Sequence, residues 1–224
     1  MRLLRGRSGD HERDHERTRE MADRVAADGE AALRVWRPHR QVAFGRRDRR
    51  AEGYQRARQA ASDRGYAVLE RDVGGRAVAY TGSTVAFALA EPTADGRGTI
   101  ADRYDRVTTA VRGALAAVGV DASEGEPPAT FCPGTHSLQA DGKLVGLAQR
   151  VRQDVAVTAG IVVVRDHEAV ASVLDPVYDA LGVAFDPDSV GSVARAGGAT
   201  GAVVDALEAE LGGDPPVGGV EQLS

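Results

Sequence analysis

The strongest constraint on folding lies between residues 135 and 164. Two β-like runs, Thr135–Ala140 and Lys143–Arg150, flank Asp141-Gly142, and Asp-Gly is a favoured two-residue hairpin turn. The next run, Val155–Val164, is apolar and strongly β-branched, the pattern of a buried strand. A hairpin feeding a buried strand commits this region to a sheet. In a strict two-residue loop Lys143 pairs with Ala140, which leaves Cys132 opposite residue 151, far along the ladder. The hairpin alone therefore does not join Cys132 to Lys143.

Further strands and helices surround it. Met1–Arg7 reads as a short edge strand. Ala31–Trp36, Gln41–Gly45, Ala67–Arg71, Arg76–Tyr80, Thr84–Ala90 and a short Ala129–Cys132 read as strands from alternation or β-branching. Asp10–Asp28, Glu52–Arg64 and Ile100–Val118 read as helices, the first two closed by Gly29 and Gly65. Val107, Val111, Leu115 and Val118 give the third an apolar face. After His167 the pattern is helical over His167–Leu174, Pro176–Leu181 and Thr200–Leu211. Roughly the last ten residues, rich in Gly and Pro, read as a frayed tail. No repeat or linker divides the chain, so the expectation is one α+β domain over residues 1–224, a mixed β-sheet with flanking helices.

Charge and cysteine usage narrow the function. The formal net charge is −5, which disfavours general nucleic-acid binding. No apolar run reaches the ~20 residues of a membrane span, and the N-terminus lacks a signal-peptide core. One cysteine excludes an internal disulfide and points to a reducing compartment, so a cytoplasmic location is expected. Of the 28 Lys and Arg residues only Lys143 is a lysine. An ammonium can be tuned to exchange protons where a guanidinium cannot, and it follows the only thiol, Cys132, by eleven residues. A lone cysteine also serves as a small buried hydrophobe, and a lysine after a turn is usually solvated.

Other candidates carry two readings each. His11 and His15, at i and i+4, have metal-ligand spacing but no third ligand nearby, so a solvated charged face is the favoured reading and no metal is expected. His39, beside Pro38, reads as a turn residue. Arg46, Arg47, Arg49 and Arg50 form either a solvated loop or a contact for an anion or acidic partner. Gly74-Gly75, flanked by Arg71 and Arg76, either makes a hairpin or lets the backbone approach a ligand closely.

Three segments together resemble the biotin/lipoate protein ligase and lipoyl/octanoyl transferase superfamily, over about Arg34 to Val164. RVWRPHRQVAFGRR resembles its strand–turn–strand opening, RDVGGRAVAYTGSTVAF its Arg-x-x-Gly-Gly signature, and DGKLVGLAQR its catalytic-lysine segment. FCPGTHSLQADGKLVGLAQRV is similar to the Cys-Pro-Gly…Gly-Lys pattern of cysteine-dependent octanoyltransferases and lipoyl amidotransferases. The resemblance implies the superfamily's catalytic-domain fold, akin to class II aminoacyl-tRNA synthetases. It implies Cys132 as nucleophile and Lys143 as acyl-site cation, lowering the thiol's pKa and stabilising the oxyanion. It implies substrate contacts from Arg71, Gly74, Gly75, Arg76, Ala77, Tyr80, Gly146, Ala148 and Gln149, with Val78, Phe87 and Leu147 as candidates to line an acyl tunnel. The expected partners are lipoyl domains (glycine cleavage H protein and the E2 of 2-oxoacid dehydrogenases) and acyl carrier protein, with no nucleic acid and no membrane.

The transferase reading requires no cofactor. An ATP-dependent lipoate ligase, or its catalytic subunit, would use Lys143 with ATP and Mg. A non-catalytic relative binding lipoyl domains is a third reading. Tyr80-Thr81 replaces the His-Asp that many relatives carry, which leaves no histidine role there. The short segment after the catalytic region disfavours a complete stand-alone ligase but not a two-subunit one. A biotin ligase is disfavoured because its Gly-Arg-Gly-Arg signature is absent.

Overall fold

The structure is a computed structural model, and it describes residues 1–71, 75–93, 98–213 and 219–223. Among these, eleven strands make two sheets. The strands are β1 (Arg2–Arg5), β2 (Ala32–Trp36), β3 (Gln41–Phe44), β4 (Ala67–Glu70), β5 (Val78–Tyr80), β6 (Val85–Pro92), β7 (Ser123–Glu124), β8 (Ser137–Gln139), β9 (Lys143–Val151), β10 (Val155–Val162) and β11 (Val220–Gln222). The larger sheet has the order β11-β1-β2-β6-β10-β9-β8-β7, and the smaller β4-β3-β5. Both mix parallel and antiparallel pairs: β1 runs parallel to β2 and β11, β3 parallel to β4, and the other pairs are antiparallel. A mixed sheet with flanking helices is thus what the hydrophobic patterning forms.

Five helices cover the sheets: α1 (His11–Asp28), α2 (Tyr54–Ser62), α3 (Ile100–Ala117), α4 (His167–Ala180) and α5 (Val203–Gly212). The small side chains of Ala32, Ala88 and Ala90 admit Met21, Ala22 and Val25 of α1 against the large sheet. Val107, Val111 and Leu115 of α3 and Leu207 of α5 pack with Leu33, Phe87 and Val145. The smaller sheet meets α2 and α4 through Val42, Phe44, Val78, Ala57, Leu174 and Tyr178. No helix among the described residues is long and apolar enough to cross a membrane.

Four expectations are corrected. β1 is not an edge strand, because Val220–Gln222 pairs outside it; part of the expected frayed tail is therefore a strand. Residues 129–132 form no strand, since Ala129 (φ 53°) and Cys132 (φ 41°) are left-handed, a conformation incompatible with a pleat. The hairpin is irregular: Gln139, not Ala140, pairs with Lys143 across a bulge. Pro176 does not divide α4. Leu174, Val177 and Tyr178 are buried around it, and that packing outweighs the one backbone hydrogen bond a proline removes.

Candidate active site

The loop from residue 125 to 136 carries Cys132 between β7 and β8. Its bends come from backbone conformation, with Cys132 itself left-handed. For a non-glycine residue that conformation costs about 1–3 kcal/mol and persists where the surroundings over-determine it. Tyr178 of α4 supplies one restraint. Its hydroxyl accepts the Cys132 N–H at 2.6 Å and donates to the Ala77 carbonyl at 3.0 Å. The ring is fully buried, and burial holds the phenol well above its ordinary range, so the hydroxyl stays a neutral bridge.

Lys143 supplies the second restraint. Fully buried at the start of β9, its ammonium donates to Glu126 at 2.7 Å, the Phe131 carbonyl at 3.0 Å and the Cys132 carbonyl at 2.9 Å. An ammonium has three donors, and none of these goes to the sulfur. The loop does fold Cys132 back to Lys143, but the ammonium meets the main chain of the cysteine. The expectation of a cation set against the thiol is corrected to that extent. Glu126 also accepts from the Gly134 N–H at 2.9 Å and the Ser137 hydroxyl at 2.8 Å, so one carboxylate ties both sides of Cys132-Pro133.

The sulfur faces the glycine-arginine turn. The Arg76 N–H donates to Cys132 Sγ at 3.4 Å. Gly75 has φ +89°, and a Cβ added there would stand 2.8 Å from Sγ. Both the conformation and the approach require glycine at 75. Gly74 lies outside the described residues. Arg76 ends on the buried carboxylate of Asp48 at 3.3 Å, and Arg71 donates to the Arg76 carbonyl at 2.7 Å. Burial raises the Asp48 pKa against the hydrogen bonds from Gly45 and Arg76.

Cys132 opens onto a cavity of about 250 Å³ between the sheets and α1. Arg71, Tyr80, Gly146, Ala148 and Gln149 line it, as do Val78, Phe87 and Leu147. Lys143, Gly75, Arg76 and Ala77 do not line it; Lys143 and Arg76 bond to Cys132, Gly75 leaves room for its sulfur, and Ala77 anchors the Tyr178 hydroxyl. Gly160 lies opposite both Phe87 and Leu147 in the sheet. A Cβ at 160 would come within 2.5 Å of Phe87 and 2.8 Å of Leu147, so its absence lets those side chains share the cavity wall. Gln149 is fixed by donating to Thr158 at 2.8 Å. His11 and His15 also line the cavity from α1, and no metal-binding group of three His, Cys, Asp or Glu residues occurs among the described residues.

Tyr178 and Glu126 escaped the sequence reading. Each acts across the fold, 46 residues from Cys132 and 17 from Lys143. The signal that could have found Glu126 is charge, because a buried lysine requires an acidic partner, but the burial of Lys143 was not expected. Nothing local marks Tyr178.

A half-buried thiol on a loop with left-handed residues thus opens into a largely apolar cavity between the two sheets and α1. The chain belongs to the lipoyl protein ligase A/B catalytic domain family, whose model matches residues 14–209. Among its relatives is an octanoyl-GcvH:protein N-octanoyltransferase of Exiguobacterium sp., 29% identical over 151 residues, covering 66% of this chain and 54% of that protein. The enzyme of the same name from Geobacillus kaustophilus is 29% identical over 134 residues, covering 59% of this chain and 47% of that one. The matches thus span about half the length of these relatives. A crystal structure of lipoate-protein ligase A bound with ATP shares the fold, with a TM-score of 0.73 at 18% identity over 94% of this chain and 83% of that one.

Proposed function

We propose that the protein is a cysteine acyltransferase that moves an octanoyl or lipoyl group onto a lysine of a lipoyl domain through a Cys132 thioester. The observation that carries this reading is the placement of Cys132: a left-handed residue clamped by Tyr178 and Lys143, its sulfur receiving the Arg76 N–H at the wall of the apolar cavity. The octanoyltransferase names of the relatives support it.

The chemistry is two acyl transfers. The Cys132 thiolate attacks the carbonyl carbon of the donor, forming a carbon–sulfur bond and a tetrahedral oxyanion. The oxyanion is one carbon removed from Sγ, within reach of the Arg76 N–H that already points there, and a fixed donor at that place stabilises developing charge. Collapse breaks the bond to the donor thiol or amine, which takes a proton from solvent as it leaves. A neutral lysine amine of the acceptor domain then attacks the thioester, gives up a proton to solvent, forms the amide and releases the Cys132 thiolate. Phe87, Leu147 and Val78 take the acyl chain. Lys143 serves as a positioning residue, since its donors hold the carbonyls of residues 131 and 132. The proposed acceptors and donors are lipoyl domains, including the H protein and the E2 domains, and acyl carrier protein.

The test is transfer without ATP. Octanoylated H protein as donor and an unmodified lipoyl domain as acceptor are incubated with the protein, and acceptor mass is followed. Transfer without ATP that Cys132→Ala abolishes is expected. Lipoylation that depends on ATP with Mg and survives Cys132→Ala would replace the proposal with a ligase, and binding of the lipoyl domain without either reaction would leave a non-catalytic relative.

A further inference from the structure

The arginine-rich turn after β3 is a sequence motif the acyl site does not absorb, yet it is tied to that site through Asp48 and Arg76. Residues 46–50 read Arg-Arg-Asp-Arg-Arg. Arg46, Arg47 and Arg50 are exposed, and none of the three has an acidic partner among the described residues. Asp48 turns inward and is fully buried. Its carboxylate accepts the Gly45 N–H at 3.0 Å and the Arg76 guanidinium at 3.3 Å, and the Arg76 N–H is the one on Cys132 Sγ. Arg46 and Arg47 are within two residues of Asp48, so their backbone stands within about 7 Å of it. The turn is therefore tied, through Asp48 and Arg76, to the backbone donor on the sulfur, and Arg46, Arg47 and Arg50 stay exposed. Local positive charge persists in a chain whose net charge is −5.

We propose that this turn is a docking surface for the acidic face of the protein domain that carries the acyl group, a proposal resting on the acyl-transfer reading above. Such a charge patch raises the encounter rate and fixes orientation for a partner of opposite sign. Nucleic acid is the less suited occupant, because binding it takes a long run of phosphate contacts, about six to ten for a typical protein, and the turn is short.

Two measurements test it. The first is binding of an unmodified lipoyl domain with an acidic surface, titrated at low and high salt, which reads docking without turnover. The second is turnover of a small uncharged thioester, S-octanoyl-N-acetylcysteamine, which reads the site without docking. The double variant R46E/R47E is expected to weaken domain binding about tenfold or more at low salt, with the difference shrinking at high salt as screening grows, and to leave thioester turnover unchanged. R50E alone is expected to act in the same direction more weakly. Unchanged domain binding in both variants overturns the proposal, as does equal loss on the small thioester. Binding of a single-stranded oligonucleotide that R46E/R47E abolishes, with domain binding intact, also overturns it. Failure of the unaltered protein to turn over the thioester counts against acyl transfer, while the domain titration still decides the docking.

Discussion

At the scale of single residues, Gly75 leaves room for the Cys132 sulfur while Tyr178 and Lys143 hold the cysteine's main chain. Gly75→Ala would place a methyl 2.8 Å from Cys132 Sγ at a φ of +89°. It should cost about 1–2 kcal/mol for the left-handed backbone, seen as a lower melting temperature, and depress the rate of Cys132 acylation by more than that loss of stability explains. Tyr178→Phe keeps the ring but leaves the Cys132 N–H and the Ala77 carbonyl without their partner. Unsatisfied buried groups cost about 1–3 kcal/mol each, so thermal denaturation should show a clear loss, and acylation should slow while Cys132 stays reactive to a small alkylating reagent. Ala148→Phe, filling the cavity wall, should reduce turnover of an octanoyl thioester far more than of an acetyl one, read as the ratio of kcat/KM values. Cys132 and Lys143 were legible in the sequence because each is unique there. Their relation was not, since the ammonium meets the cysteine backbone through a loop whose left-handed residues 129 and 132 leave no mark in residue type.

At the scale of elements, α1 closes the cavity and is fastened by a buried ion pair. Arg34 of β2, fully buried, donates to the Asp14 carboxylate, and also to the Asp14 carbonyl at 2.8 Å and the Thr18 hydroxyl at 3.1 Å. Removing one partner strands the other charge in a low-dielectric site. Asp14→Ala should therefore cost about 3–5 kcal/mol, measured as a shift in denaturant midpoint. The double change Asp14→Leu with Arg34→Met should recover much of it. Helices and strands were largely readable from their periods: α1, α3 and the strands β2, β3, β4, β5, β6, β8, β9 and β10 stand close to where alternation and capping put them, whereas β7 was not expected. The residues 129–132 and the bulge beside Lys143 were not, because they answer to contacts with α4 and Glu126 rather than to local propensity.

At the scale of the molecule, two sheets meet at the cavity, and each brings a different part of the site. The smaller sheet carries Val78 and Tyr80 on β5. The larger carries Phe87, Leu147, Ala148 and Gln149 on β6 and β9, and the Cys132 loop lies between them. The α+β class followed from the order of elements, but the strand order, with β11 outside β1, did not, since pairing partners distant in sequence leave no local pattern. The measurement that tests the central claim most directly is the intact mass of the protein after incubation with S-octanoyl-N-acetylcysteamine in the absence of ATP. A single octanoyl adduct, mapped to Cys132, released by hydroxylamine and absent from Cys132→Ala, is the expected result. An unmodified protein that nonetheless lipoylates an acceptor with ATP, equally well as Cys132→Ala, would contradict it.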